Sequence, residues 1–319
     1  MAVSVFGWNL PKPRRHGHDM DYKKIFRTRE MRKKVLKLFR FVPDKTMLGI
    51  QYRIKLNRKL HLKDPKRFTE KLQWYKLNYR NPVMHTCVNK YAVRDYVKSK
   101  GLEEILVPLY AHYKWARDIE WEKLPDSFVV KTQHGGGGLS VIICPDKSKL
   151  TKEEVVNKLG YTYNAVSGCG GGREWAYSTV ETGIVVEKLL VNETNPEAGV
   201  NDYKIFCYNG KAKYIIVDVD RYIGHKRNFY DRDWNNLHVT SDCPASDREI
   251  PRPETLDRML AVAEQLSADF PYVRVDLYSV EGKVYFGELT FYPWSGYVQY
   301  TPDEWDYKFG EDFPLVEFK

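Results

Sequence analysis

Tyr272-Val-Arg274-Val-Asp276-Leu-Tyr-Ser-Val-Glu-Gly282-Lys-Val-Tyr-Phe-Gly-Glu288-Leu-Thr290-Phe291 decides the fold of this chain. It reads as two strands joined by a glycine turn. Alternation puts Arg274 and Asp276 on one face of the first strand, with Val275 and Leu277 opposite. On the second strand Glu288 and Thr290 share a face, with Leu289 and Phe291 behind them. A loop with an odd number of residues centred on Gly282 sets Asp276 across from Glu288. Two carboxylates opposed on a sheet repel. A divalent cation resolves that conflict, and Arg274 beside it suggests a phosphate. This hairpin is therefore the expected catalytic centre.

A second feature lies upstream. Val129-Val-Lys131-Thr-Gln-His134-Gly135-Gly136-Gly137-Gly138-Leu-Ser140 ends a strand with a lysine and opens onto four glycines. Backbone N–H groups freed of Cβ atoms can converge on a phosphate, with the lysine adding a point charge. No Gly-Lys-Ser/Thr follows, so it is not a Walker A loop, and the third position of a dinucleotide fingerprint is filled by Ser140. The loop is either a lid over a triphosphate or a plain flexible hairpin tip.

Between these features the chain mixes helices with antiparallel hairpins. Helical patterns cover Thr69–Leu77, Val88–Lys98, residues 151–160 and residues 254–268, the last with Leu256, Met259, Leu260, Ala263 and Leu266 inward. Short strands are expected at Val107–Ala111, Phe128–Lys131, Val141–Cys144 and Ile184–Leu190. Asn209-Gly210 joins Asp202–Tyr208 to Ala212–Val219 as a hairpin. This order argues for an α+β fold rather than a doubly wound sheet.

Charge is uneven. Residues 1–71 hold 21 Lys and Arg against 6 Asp and Glu, a net +15, while the other 248 hold 30 against 36, a net −6. From Asp21 to about Asn57, Ile25, Phe26, Met31, Val35, Leu36, Leu38 and Phe39 recur at helical spacing among the basic residues. Such a segment either docks on an anionic membrane face or packs its apolar side on the body. Nucleic acid is not expected, because the bias is confined to this arm and no RNA- or DNA-binding pattern follows. Five dispersed cysteines without a CxxC pair fit a reducing cytoplasm, with peripheral association at the inner membrane face. Arg14 and Arg15 precede no apolar stretch of signal-peptide length, and no run is long enough to span a bilayer.

Together the motifs RFTEKLQWYKL (Arg67–Leu77), KYAVRDYV (Lys90–Val97), FVVKTQHGGGG (Phe128–Gly138), GREW (Gly172–Trp175), VVEKLL (Val185–Leu190), DYKIFCYNGK (Asp202–Lys211), HKRNFYDRDWN (His225–Asn235), VRVDLY (Val273–Tyr278) and GELTFYPWSG (Gly287–Gly296) resemble the TupA-like ATP-grasp family of bacterial surface-polysaccharide gene clusters. The resemblance spans residues 60–310. It implies two α+β lobes clamping ATP and Mg²⁺: a basic arm with an amphipathic helix (1–60), an N-terminal helical or αβ region (61–125), a small lobe (126–190) and a C-terminal lobe (191–319). Lys90 and Lys131 look like the two phosphate lysines, and His134 to Gly138 like the phosphate loop. Glu187, Lys188 and Leu190 resemble the adenine linker, and Asp202 the ribose contact. Lys204 is grouped with these nucleotide contacts, with a solvated strand position as its alternative. Arg274 resembles the phosphate-binding arginine. Asp276 and Glu288 resemble the metal ligands, with Thr290 where many members carry Asn.

The activity implied is carboxylate–amine ligation through an acyl phosphate, joining an amino acid or other amine to a uronic acid or similar carboxylate of a surface glycan. Lys226 and Arg227 are expected beside Arg274 in the catalytic group, Arg227 as a bidentate carboxylate clamp. Arg173, His225, Trp294 and Ser295 are the expected acceptor contacts. The rival reading is a glycosyltransferase that holds a sugar nucleotide on Asp218-Val-Asp220.

Overall fold

The computed structural model describes Leu36 and residues 38–134, 140–163, 171–179, 181–192 and 194–315. From Asp44 onward the first α-helices are α1 (Asp44–Leu56), α2 (Phe68–Asn78), α3 (Val83–Cys87) and α4 (Val93–Ser99). A four-stranded antiparallel sheet follows, built from β1 (Leu109–Tyr113), β2 (Phe128–Thr132), β3 (Val141–Cys144) and β4 (Ile184–Glu187) in the order β1-β4-β2-β3, with α5 (Lys152–Tyr163) packed on it. The second sheet comprises β5 (Asp202–Tyr208), β6 (Lys211–Val219), β7 (Lys226–Asp231), β8 (Tyr272–Val280) and β9 (Lys283–Thr290). Its order is β7-β6-β5-β8-β9, and α6 (Leu256–Ser267) and α7 (Glu304–Glu311) complete the lobe. The fold is α+β, as expected. Among the described residues no helix is long and apolar enough to cross a membrane.

The large sheet is covered on both faces. Val273, Val275, Leu277, Ile205 and Ile215 meet the apolar side of α6, whose Leu256, Met259, Leu260, Ala263 and Leu266 are all buried. The opposite face is divided. One half carries Phe206, Tyr208 and Tyr272, which stack with Phe68 of α2, Phe309 of α7 and Phe313. The other half carries charge and faces the small lobe. Aromatic packing thus seals one half-face and leaves the other for chemistry.

Several expectations are corrected. The helix expected over Val88–Lys98 starts only at Val93, as α4, because Asn89 Oδ1 accepts from the N–H groups of Tyr91 and Ala92 and caps a turn between α3 and α4. The strand expected over Ile184–Leu190 ends at Glu187, and β7 and α7 were not foreseen. Residues 61–125 are shared between the two lobes. β1 is an edge strand of the small sheet, while α2 to α4 share the core of the large lobe through Phe68, Leu72, Tyr75, Met84, Val93 and Val97. Of the amphipathic basic stretch, residues up to 35 and Lys37 lie outside the described residues, as do Gly135 to Gly138. Within α1, Met47, Leu48, Tyr52 and Leu56 pack inward while Ile50 and Ile54 point to solvent.

The hairpin reaches its expected register by a different route. Its loop has two residues, Glu281 and Gly282, both left-handed, between the paired Val280 and Lys283. An even loop would place Asp276 opposite Gly287. A bulge between Asp276 and Leu277 in the pairing shifts the ladder by one residue and brings Asp276 to Glu288 and Arg274 to Thr290. Gly287 is the extra residue, and a Cβ there would lie 2.8 Å from the Asp276 carbonyl oxygen. Gly287→Ala should therefore lower the urea midpoint by the equivalent of about 1–3 kcal/mol. A midpoint equal to the wild type would mean that the bulge has room to spare.

Candidate active site

Cross-strand register assembles the charged half-face in three rungs. The first joins Arg227, Asp218, Asp202 and Tyr278; the second joins Phe229, Ile216, Lys204, Asp276 and Glu288; the third joins Asp231, Tyr214, Phe206, Arg274 and Thr290. Arg274 donates from Nε and Nη2 to the two oxygens of Asp276, at 2.7 and 2.6 Å, and from Nη2 to Thr290 Oγ1 at 3.1 Å. Thr290 Oγ1 in turn donates to Glu288 Oε1 at 3.1 Å. Burial pushes the Asp276 carboxyl up to about 6, with Glu288 adding to the rise and Arg274 and Lys204 opposing it. Burial also acts to raise Glu288, but Lys90, Arg274 and Lys204 outweigh it and hold that carboxyl below its usual range. The two opposed carboxylates are thus tolerated because cations surround them.

Lys204 is buried among three carboxylates. It bonds Asp202 and lies 3.3 Å from Asp276 and 3.6 Å from Asp218. It is neither solvated nor open to a nucleotide, and despite burial its acidic neighbours raise its pKa. Asp202 accepts through Oδ2 from Lys204 and, at 2.8 Å, from Arg221, while its buried Oδ1 has no hydrogen-bond partner among the described residues. The physical reason is lateral: strands bring side chains from different sequence regions within bonding distance, and unlike charges then pair.

The small lobe supplies the other wall. Lys131 on β2 and Glu187 on β4 share a face and meet at 2.6 Å, and Arg94 reaches the second Glu187 oxygen at 3.3 Å. Lys188 is exposed, and its N–H donates to the Pro108 carbonyl, which takes that donor out of an adenine edge. Lys90 follows the Asn89 cap, its N–H tied to Gln133 O at 2.9 Å. Burial lowers the pKa of Lys90, while Glu288 raises it, Lys131 lowers it and Glu187 raises it. Its ammonium therefore links the two walls. Burial, then Lys90, lowers the pKa of His134 and favours its neutral form. A small cleft lined by Lys90, Tyr177, Gly287 and Glu288 opens at this junction.

Three expected residues, Lys226, Arg227 and Arg173, are placed elsewhere or already occupied. Lys226 points to the sheet face opposite Arg227, by alternation along β7, and pairs with Asp247 at 3.4 Å, so it cannot act beside Arg274. Arg227 is buried, with Nε and Nη2 on Asp218 and Nη1 on Asp242 and Ser241. Its fork is spent on the protein and not offered to a substrate. Arg173 binds the Phe39 and Arg40 carbonyls and Asp44 and staples the α1 segment to the body. His225 stays near the network, 3.1 Å from Asp218. The Asp218-Val-Asp220 site of the rival reading is also closed: Asp218 is held by Arg227, and Asp220 accepts from Arg248 at 2.8 and 2.7 Å.

After β9 the chain turns through Trp294, Ser295 and Gly296, all with positive φ. The Trp294 ring lies 5.0 Å from the Arg227 guanidinium and 5.6 Å from that of Arg274. Two left-handed non-glycine residues cost about 1–3 kcal/mol each. Gln73 and Lys76 of α2 offset this. Gln73 Nε2 donates to the Ser295 and Gly296 carbonyls, and Lys76 Nζ to Ser295 O and Oγ, both at 2.9 Å. Four bonds at about 1 kcal/mol each, more for the charged donor, suffice to hold the turn. The sequence reading missed Gln73, Lys76, Arg94 and Arg221; a glutamine and a lysine three apart beside the apolar Leu72, Tyr75 and Leu77 is the one signal that pointed to the first pair.

Residues 70–314 match the family described as TupA-like ATPgrasp. The chain belongs to this family. No curated protein is similar to it. Among solved structures, this TupA-like ATP-grasp protein is similar to D-alanine–D-alanine ligase from Bacillus anthracis, with 19% identity and a TM-score of 0.41 over 65% of this chain and 57% of that one. The corresponding enzyme from Helicobacter pylori is 14% identical, with a TM-score of 0.42 over 80% and 68%. An L-amino acid ligase from Bacillus licheniformis is 18% identical, with a TM-score of 0.39 over 67% and 43%. The TupA-like chain thus spans little more than half the length of the Bacillus anthracis enzyme.

Lys76 offers a test by pH. Burial lowers its pKa from 10.5 to about 7. Between those values the unfolded chain binds a proton that the fold does not, so stability rises with pH through this window. Below about pH 7 the full burial penalty is present. The stability of wild type relative to Lys76→Met should therefore improve by up to several kcal/mol from pH 7 to pH 10. Urea titrations at both pH values check this; a constant difference would mean that Lys76 stays charged in the fold.

Proposed function

We propose that this protein is an ATP-dependent carboxylate–amine ligase, and that its substrates are a uronic acid or similar carboxylate of a surface glycan and an amino acid or other amine. One observation carries the reading: hard oxygen donors on two adjacent rungs, Asp276, Glu288 and Thr290 around Arg274, face Lys90 across a cleft, with Lys131 acting on Lys90. Such walls suit a polyphosphate with its divalent cation.

The donor set fits Mg²⁺. Among the described residues no group of three or more His, Cys, Asp or Glu is arranged to hold a metal alone. Two carboxylates and a hydroxyl, completed by water and phosphate oxygens, match how Mg²⁺ is commonly bound. Asp276, Glu288 and Thr290 would hold the ion, which would neutralise charge on the phosphates.

In the reaction a substrate carboxylate oxygen attacks the γ-phosphorus, the bond to the β-phosphate oxygen breaks and ADP leaves. The amine lone pair then attacks the acyl carbon. Inorganic phosphate departs with the electrons of the C–O bond, and the nitrogen loses its proton. Lys90 and Lys131 would neutralise the phosphate oxygens, with Glu187 fixing Lys131 and the loop Gly135 to Gly138 covering the nucleotide. Leu190 would border the adenine. Arg274 would exchange Asp276 for the acyl phosphate, since its fork suits either partner. Trp294, Ser295 and His225 would border the acceptor.

ADP release from magnesium-ATP with a panel of uronates and amino acids tests this reading. Glu288→Gln should reduce the rate on the order of 10²-fold or more. Turnover that survives the change sinks the metal assignment, and binding of a UDP-sugar without ATP binding would favour glycosyl transfer.

The basic segment and the exposed Phe41, Ile50 and Ile54 favour contact with an anionic bilayer. Replacing these three by Ser in the full chain should weaken sedimentation with phosphatidylglycerol vesicles and spare ATP binding. Unchanged sedimentation would refute the contact.

A further inference from the structure

Two buried side chains of α2 bond the turn that follows β9. Lys76 is 1% exposed and Gln73 is fully buried, yet both are polar and both address one turn, Trp294–Gly296. We infer that Lys76 is a positioning residue of the ligase: by fixing Ser295 it keeps Trp294 against the guanidinium faces of Arg274 and Arg227. The catalytic consequence rests on the ligase reading above, whereas the placement of Trp294 does not.

Nε and Nη2 of Arg274 are already engaged by Asp276 and Thr290, and the donors of Arg227 by Asp218 and Asp242. What an indole can still restrain is the plane itself, through its face. Arg274 must keep that plane if it is to trade a carboxylate for a phosphate-bearing group without losing aim. Trp294 reaches it only because the backbone doubles back through three left-handed residues. Gly296 has no room for a side chain there, since a Cβ would lie 2.3 Å from Gln73 Nε2.

The three protons of an ammonium at Lys76 meet three acceptors: Gln73 Oε1 at 3.1 Å, Ser295 O and Ser295 Oγ. If the proton is lost, the Ser295 hydroxyl can turn and donate to the amine, so the hold survives neutralisation. Glu174 and Lys55 are the charged groups acting on it, and the Tyr297 ring lies 4.8 Å away. A role in packing alone would be met at lower cost by an apolar side chain, because buried ionic groups are often replaced by hydrophobic ones with a gain in stability. Retaining a lysine here makes sense where the turn it holds matters more than the stability it costs.

The test is a double-mutant cycle of Lys76→Met and Trp294→Ala in the full chain, with two readouts. The emission of Trp294, taken as the difference between each protein and its Trp294→Ala counterpart, should shift to the red and quench more readily with acrylamide in Lys76→Met. With magnesium-ATP and the uronate and amino acid panel, Lys76→Met should lose on the order of 10- to 100-fold in ADP formation at saturating nucleotide, with unchanged ATP affinity. The double variant should be no worse than Trp294→Ala alone, because both act through one group. Unchanged Trp294 emission, or losses that multiply in the double variant, would overturn the inference. If the wild type forms no ADP, the ligase reading falls and the emission readout alone decides the positioning role. Should Lys76→Met not fold, Ser295→Ala removes one acceptor, and a Trp294 emission identical to the wild type would count against the inference.

Discussion

Two carboxylates, Asp276 and Glu288, stand opposite each other on adjacent strands, and much of the molecule is arranged to permit it. Like charges in that position repel, and burial raises the cost. Arg274 answers within the same face, Lys204 from the next strand and Lys90 from across the cleft. The bulge at Gly287 makes the opposition possible at all, since a regular two-residue hairpin would slide Glu288 one position along and turn it to the other face.

From that constraint follows a site that neutralises itself. Lys131 meets Glu187, Lys204 meets three aspartates, Arg274 meets Asp276, and Arg227 meets Asp218. Each cation that a phosphate would seek already has a protein partner. A nucleotide bound as proposed would exchange ion pairs instead of creating them, and specificity would rest on which pairs can open. Those at the cleft, Lys131 with Glu187 and Arg274 with Asp276, can trade partners without leaving a charge alone. Arg227 cannot, because its donors are divided between two aspartates and Trp294 covers its face.

The helix α2 ties these parts together. Its Phe68 enters the aromatic half-face, its Thr69 bonds Asp306 of α7, and its Gln73 and Lys76 grip the turn behind β9. One helix thereby braces the sealed half of the sheet and shapes the open half. Stability and site geometry are consequently coupled, and a polar residue at position 76 is part of that coupling.

Much of this was legible in the chain. Alternation put Arg274 with Asp276 and Glu288 with Thr290, the spacing of Leu256, Met259 and Leu260 gave the buried side of α6, and Asn209-Gly210 gave the β5–β6 turn, because periods of 2 and 3.6 and turn preferences are local properties. The route to the register was signalled only by Gly287, a glycine inside a strand pattern, which suggests a bulge without fixing which partner residues it separates. Nor could the sequence say that Arg227 is consumed by Asp218, that Lys226 faces away, that Arg173 staples α1, or that Lys76 grips Ser295. Those outcomes depend on which charges become neighbours once strands and helices distant in the chain are packed together. The sequence by itself determined which residues share a face; the tertiary structure decided which of them remain free to meet a ligand, since pairing between buried charges is settled by distance in space and not along the chain.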